Sequence, residues 1–305
     1  MSRLTAIVPA TNDPPTLQRC VDAIRSARDT PEQLIVVTHA GSPGPAAARN
    51  EGARRADGDV LVFVDADVIP RSDAFERIRA AFDADAGLVA LFGSYDDSPE
   101  APGVVSRFRN LLHHHTHHAS AGPAETFWAG LGAVRRDAFV AAGGFDQERY
   151  RVPSVEDIDL GMRLTARGAR VRLDPDVQGT HLKAWTLREM VRTDLLQRGI
   201  PWIALLLRRG RRSRALNLGW QHRLSAASSV GCLLAVRARR PLLAAGFLIS
   251  LAALNARFYA LLQRRVGRRG AVLGVGLHVI HHGTSTLSVP LGILAYLRDR
   301  ALGRS

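Results

Sequence analysis

Five consecutive apolar residues, Val60-Leu61-Val62-Phe63-Val64, run without a break and stop at Asp65-Ala66-Asp67. A strand that is apolar at every position must be covered on both faces, which places it inside an α/β sheet. The flanking chain agrees. Leu4-Thr5-Ala6-Ile7-Val8 is a β-rich run ended by Pro9, and Leu34-Ile35-Val36-Val37 is a second. Between them Leu17, Cys20, Val21 and Ile24 recur at helical spacing. Gly41 to Pro45 reads as a loop, residues 46–57 and 72–84 as helices, and Leu88 to Phe92 as a further strand. Strand-helix alternation with short connections predicts a parallel, Rossmann-like α/β sheet. Past residue 100 the alternation weakens. Residues 104–118, 136–142 and 155–167 are expected as helices and 127–134 as an extended segment.

In such sheets ligands bind at the carboxyl ends of the strands, and Asp65 and Asp67 lie at one. Two carboxylates at i and i+2 both reach one site as the chain leaves the pleat. Hard oxygen ligands suit Mg²⁺ or Mn²⁺, and such an ion neutralises a diphosphate. A solvated loop with two acids is the plainer reading of the same residues. Val155-Glu156-Asp157-Ile158-Asp159-Leu160 opens a helical pattern through Met162 and Leu164. Its acids either complement the helix dipole or supply a general base for an acceptor hydroxyl. Gly130 after Trp128, and Gly143-Gly144-Phe145-Asp146, are ordinary turn and core residues when taken singly.

Taken in order, Ile7-Val8-Pro9-Ala10-Thr11-Asn12-Asp13, Ala48-Arg49-Asn50-Glu51-Gly52, Gly58-Asp59 to Asp67, Trp128-Ala129-Gly130, Gly143-Gly144-Phe145-Asp146 and Glu156-Asp157 resemble glycosyltransferase family 2 over roughly residues 3–200. The resemblance implies a GT-A fold and transfer of a sugar from a nucleotide diphosphate with inversion at the anomeric carbon. It implies that Pro9, Thr11 and Asp13 line the nucleotide pocket, that Arg49 lies near the donor, and that Asp65 faces the ribose or sugar. Asp67 would hold the metal, with Asp65 beside it. Asp157 would be the catalytic base, Glu156 would support the acceptor side, and Trp128 and Gly130 would shape the acceptor pocket. Two departures stand out. Thr38-His39 occupies the place where the family usually carries a pair of acids toward the nucleotide base, so the sequence does not choose between uridine and guanosine. The segment from the second strand to Arg49 is also short.

His181, in Gly179-Thr180-His181-Leu182-Lys183, is a candidate further ligand for the metal or diphosphate, against the commoner structural histidine. Gln197-Arg198-Gly199-Ile200-Pro201-Trp202 is similar to the Gln-Arg-x-x-Arg-Trp motif of processive, membrane-embedded relatives, with Pro201 in place of the second arginine. The resemblance puts Trp202 near an acceptor, while Pro201 speaks against processive synthesis. The run His113-His114-His115-Thr116-His117-His118 reads as a solvated loop or helix face before it reads as a metal site.

Charge divides the chain. Residues 1–200 carry 24 basic and 27 acidic side chains, and residues 201–305 carry 17 and one, Asp299. The expected organisation is therefore a GT-A domain over 1–200 and a membrane-associated helical tail over 201–305. Residues 208–214 are nearly all arginine, and 215–236 read as an amphipathic interface helix. The segments 241–262 and 271–297 are long enough to cross a hydrocarbon core of ~30 Å, with in-plane or hairpin helices as the other arrangement. His278, His281 and His282 would be costly inside a span, and so mark either a functional site or a helix that does not cross. A basic tail beside apolar runs favours a membrane over nucleic acid. Two distant cysteines, Cys20 and Cys232, fit a reducing compartment. The opening stretch has no secretory core, so the catalytic domain is expected on the cytoplasmic side of the cell membrane.

The expected partners are a UDP- or GDP-linked sugar and a membrane lipid or lipid-linked acceptor, with Mg²⁺ or Mn²⁺ as cofactor. A catalytically silent GT-A scaffold is the alternative, motivated by Thr38-His39 and opposed by the intact Asp65, Asp67 and Asp157. A nucleotidyltransferase would share the sheet but would not need Glu156-Asp157 after an acceptor pocket.

Overall fold

The computed structural model describes residues 1–39, 41, 43–210 and 219–303. They form two compact units. The first comprises Met1–Glu100 and Thr116–Lys183, the second Ala101–His115 and Ala184–Ser305.

The first unit is built on one mixed sheet. Its strands are β1 (Leu4–Pro9), β2 (Gln33–Val37), β3 (Val60–Val64), β4 (Val68–Pro70), β5 (Leu88–Tyr95), β6 (Gly122–Ala124), β7 (Leu131–Arg135) and β8 (Arg170–His181). The order is β2-β1-β3-β7-β5-β8-β4, with β6 paired to β8. The expected first half is present. β1 runs parallel to both β2 and β3, and every residue of β3 is fully buried. Burying a large apolar side chain contributes about 1.5–3 kcal/mol, so this strand alone anchors the sheet.

The sheet is not wholly parallel as the alternation predicts. β7 is antiparallel to both β3 and β5, and β4 and β6 are antiparallel to β8. The reason is the return path. Between β5 and β7 the chain passes through helix α4 (Val104–Ala119) and the short β6, and β7 then lies between β3 and β5, antiparallel to both. β8 escapes the hydropathy pattern because Arg170, Arg172, Asp174 and Asp176 interrupt it.

Helices α1 (Leu17–Arg25), α2 (Pro45–Arg55), α3 (Ala74–Ala84), α5 (Arg136–Ala141) and α6 (Glu156–Ala166) cover this sheet. Gly161 of α6 is a close-approach point. A Cβ there would lie 2.2 Å from the Phe127 amide nitrogen and 2.4 Å from the Thr126 carbonyl carbon. Backbone atoms cannot yield as a flexible side chain can. Gly161→Ala is expected to push α6 from this segment and lower stability by about 1–3 kcal/mol, read as a fall in melting temperature.

The second unit is helical. It holds α7 (Leu187–Arg192), a π-helical turn (Thr193–Gly199), α8 (Ile200–Arg209), α9 (Trp220–Arg237), α10 (Pro241–Leu254) and α11 (Ala256–Ala301). Its core gathers Phe108, Met190, Phe258, Leu262 and Leu277. Residues 211–218, which include part of the 208–214 arginine run and the start of the expected interface helix, lie outside the described residues.

Of the two expected spans, 241–262 does not appear as a single helix, while 271–297 lies within α11. Among the described residues no helix is long and apolar enough to cross a membrane by itself. Pro241–Leu254 and Ala256–Ala301 meet that test only as a pair bent by 83°. The 241–262 segment breaks at Asn255, whose amide donates to Ser225 Oγ at 2.8 Å and to the Leu251 carbonyl at 2.9 Å. Within α11 the helical path also breaks at Gly267. His278 and His282 are buried, and His278 Nδ1 lies 2.9 Å from the Tyr259 hydroxyl. His281 Nδ1 is 2.8 Å from Asp194, whose other oxygen takes Arg109 at 2.8 Å. His278 and His281 thus make internal polar contacts within the unit.

Candidate active site

One sheet edge collects the chemistry. β1, β2 and β3 run in parallel, so Pro9, Val37 and Val64 end on the same side. Because β7 is antiparallel, Leu131 pairs with Val64, and Trp128-Ala129-Gly130 arrives at that edge just before β7 begins. β5 and β8 finish there as well, in Tyr95 and His181.

Arg49, on α2, is buried and makes two contacts. One nitrogen donates to Asp65 Oδ1 at 2.6 Å and another to Glu156 Oε1 at 2.9 Å. Its guanidinium also lies 5.5 Å from the Phe145 ring centre. Glu156 is buried too, and its second oxygen accepts the Ser154 N–H at 2.9 Å. Both its oxygens thus face inward, on Arg49 and Ser154, rather than presenting a free carboxylate as the acceptor-side role implies. Burial raises the Asp65 carboxyl, Arg49 opposes the shift, and neighbouring Asp67 adds to it.

Asp157 follows at the first turn of α6 and is half-buried. Its Oδ2 accepts the Ala129 N–H at 3.1 Å. Burial pushes its pKa up to about 7, with the charge of Glu156 reinforcing the shift and Arg49 opposing it. A carboxylate so tuned is matched to proton transfer near neutral pH. The Trp128–Gly130 segment also ties Asp157 to the acidic motif, since the Asp65 N–H donates to the Gly130 carbonyl at 3.0 Å. Gly130 keeps this segment flat, for a Cβ there would sit 2.3 Å from Trp128 Cζ2.

Asp67 faces His181, with Nε2 3.5 Å from Oδ2. Burial alone would raise Asp67, but His181, with Lys183 beyond, holds it below the usual carboxylate range. The His181 ring stacks on Tyr95 at 4.2 Å and 8°, and Tyr95 meets Trp128 edge-on at 5.0 Å. Among the described residues no three His, Cys, Asp or Glu side chains are gathered as a ready metal site. A hard divalent ion commonly takes one or two protein groups and completes its shell with substrate phosphates and water. Asp67 and His181 suit that partial role, whereas Asp65 already gives one oxygen to Arg49.

Pro9 is half-buried at the end of β1, and Thr11 and Asp13 are exposed in the following loop. Asp13 holds a left-handed φ of 45°, a conformation Asp tolerates better than most residues. Trp202 belongs to α8 of the second unit. The histidine run is helical, and His117 is no solvated residue. It is buried, its Nδ1–H donates to the Gly93 carbonyl at 2.8 Å, and its ring packs edge-on against Trp128 at 5.5 Å. Tyr95 is the residue beside the site that sequence reasoning missed, and His117, read there as part of a solvated run, is instead packed inside. Tyr95 lies three residues past the apolar core of its strand, where only tertiary packing gives it meaning.

Residues 24–141 match the sequence profile of the family described as Glycosyl transferase family 2. Proteins called pre-mycofactocin glycosyltransferase, from two strains of Mycobacterium tuberculosis, are 30% identical over 218 residues. The matched region covers 62% of this chain and 44% of theirs, so the chain spans less than half the length of these relatives. A mannosyltransferase of Pyrobaculum calidifontis, in complex with GDP-Man and Mn²⁺, has a similar fold at a TM-score of 0.50. It is 18% identical, covering 99% of this chain and 87% of that one. The profile match falls on the strands and helices that bring Arg49 and Asp65 together, and over that segment the chain is similar to glycosyltransferase family 2.

Proposed function

We propose that this chain is an inverting glycosyltransferase that moves a sugar from a UDP- or GDP-linked donor to a hydroxyl on a membrane lipid or lipid-linked glycan, with its catalytic domain on the cytoplasmic side of the cell membrane. The observation that carries the reading is Asp157, a half-buried carboxylate raised to about 7 and held by the Ala129 N–H on the sheet edge that also bears Asp67. The family-profile match over residues 24–141 and the names of the relatives support it, and the mannosyltransferase of similar fold carries a nucleotide sugar and Mn²⁺.

The residues divide the work by chemistry. Asp157 takes the acceptor proton at its carboxylate. Arg49 fixes Asp65 and Glu156 so that both carboxylates keep their places. Pro9, Thr11 and Asp13 border the nucleotide, while Trp128 and Gly130 wall the acceptor side. Asp67 and His181 would hold Mg²⁺ or Mn²⁺. Such an ion, when bound, stabilises a leaving diphosphate as a Lewis acid.

The test is donor binding by the full chain in detergent, across a panel of UDP- and GDP-sugars with Mg²⁺ or Mn²⁺. One donor is expected to bind in a metal-dependent manner, and Asp67→Ala is expected to weaken that binding at least tenfold. If no nucleotide sugar binds with either metal, the chain is a silent scaffold and the transferase reading fails.

A further inference from the structure

The α9–α10 part of the second unit is built inside out for water. It buries Ser225, Ser228, Ser229 and Asn255 along the contact of α9 with α10. Large apolar side chains point outward instead. Leu234 is 64% exposed, Leu242 87%, Leu243 60% and Ile249 69%. α10 reads Pro-Leu-Leu-Ala-Ala-Gly-Phe-Leu-Ile-Ser-Leu-Ala-Ala-Leu, with Ser250 as its one polar side chain. A helix that is apolar all round needs an apolar medium all round, whereas a dimer seam needs only one stripe. Helices that pack through small residues while turning large aliphatic ones outward follow the pattern of association in lipid.

The turn between the two helices carries the opposite chemistry. Arg237, Arg239 and Arg240 are all exposed there. The turn is tightly defined, for the Arg239 N–H donates to the Val236 carbonyl at 3.0 Å and the Arg240 N–H to the Ala235 carbonyl at 2.9 Å. This is a Schellman closure, and its left-handed position ordinarily falls to glycine. Here it is Arg239, at a φ of 54°. An arginine held in a strained backbone conformation points to a demand for charge at that place.

We propose that the α9–α10 hairpin is the chain's lipid-docking element. It lies flat in one leaflet, with α10 among the acyl chains and the arginine turn bound to anionic lipid phosphates. Length and charge set this posture. The apolar stretch of α10 is 14 residues, ~21 Å at helical rise, short of a core of ~30 Å. A tip-first plunge would bring three arginines toward the bilayer centre, where charge is strongly disfavoured. A second copy as occupant would bring one cationic turn beside another. The inference rests on the membrane half of the proposed function and is independent of the sugar chemistry.

The test is flotation of the full chain, freed of detergent, with vesicles of phosphatidylcholine alone or with phosphatidylglycerol added. Wild type is expected to prefer the anionic vesicles. Joint replacement of Arg237, Arg239 and Arg240 by Gln is expected to lower anionic-vesicle affinity on the order of 100-fold, at about 1 kcal/mol for each arginine, with little change on neutral vesicles. Arg239→Gly relieves the strained turn, so its expected loss of about fivefold cannot be ascribed to misfolding. An Arg239→Cys variant is expected to react with an impermeant maleimide added outside sealed vesicles, since Cys20 and Cys232 are buried. Equal binding to both vesicle types, unaffected by the arginine changes, overturns the headgroup contact. Labelling only after the vesicles are opened overturns the flat posture. A vesicle-free oligomer assigns the surface to a second copy, and the membrane reading falls with it. Donor binding by the first unit is a separate measurement, so the transferase reading stands or falls apart from these results.

Discussion

Asp157→Asn is expected to lower turnover by about 10²–10⁴-fold while leaving donor binding intact. Asparagine keeps the shape and can still accept the Ala129 N–H through its carbonyl oxygen, so the segment that bears Trp128 stays in place, while the Ile158 N–H loses the oxygen that accepts it at 2.8 Å. What it cannot do is take a proton. In the wild type the rate is expected to rise with pH, about tenfold per unit, until Asp157 ionises near 7, and to level above that. The asparagine variant should lack that limb. Stability should move the other way. The unfolded chain releases this proton near 3.9 and the folded chain only near 7, so between those values the folded state holds a proton that the unfolded state has lost. The stabilisation due to that proton is complete below the unfolded pKa and disappears as pH rises through 7. At pH 8 the wild type carries a desolvated carboxylate that the variant does not, and Asp157→Asn should be more stable by about 1–2 kcal/mol. The gain should vanish toward pH 4. Steady-state rates with the donor found by the binding panel, and melting curves at both pH values, check the two halves.

Local pattern carried the sequence reading as far as local forces decide the structure. β3 was legible because full burial leaves one kind of residue at every position, and α6 because acids open it before an apolar repeat. The direction of β7 was not, since Leu131-Gly-Ala-Val-Arg135 looks the same whichever way it enters the sheet. β8 was invisible to hydropathy because its charged residues alternate with the buried Val171 and Leu173. In the site, Asp65, Asp67 and Glu156-Asp157 could be picked out from spacing and family resemblance. The pairing of Arg49 with Glu156 could not, because 107 residues separate them and neither has a local signal for the other. The break at Asn255 was hidden for the same reason. Its side chain ends an apolar run through a hydrogen bond to Ser225 on the preceding helix.

Arg49→Met is expected to be the most destabilising single change in the first unit, at about 3–5 kcal/mol, because it leaves Glu156 buried without its cation. In a unit of this size the melting temperature should fall by about 10 °C. Arg49→Lys should recover only part of the loss. A single ammonium group cannot reproduce two nitrogens aimed separately at Asp65 and Glu156. Stability and function can then be separated by a second change. Arg49→Met with Glu156→Leu replaces the buried pair by apolar side chains, and such replacements are often neutral or stabilising. The double variant should therefore regain most of the melting temperature. Its activity should stay low, because Asp65 has lost the contact that fixes it beside Asp67. The pH profile of Arg49→Lys supplies an independent reading. Arg49 opposes the upward shift of Asp157, so a cation held farther away should move the limb of the rate profile above 7. If the double variant were fully active, Arg49 would be a packing residue only, and the network that orders Asp65 would have no part in the reaction.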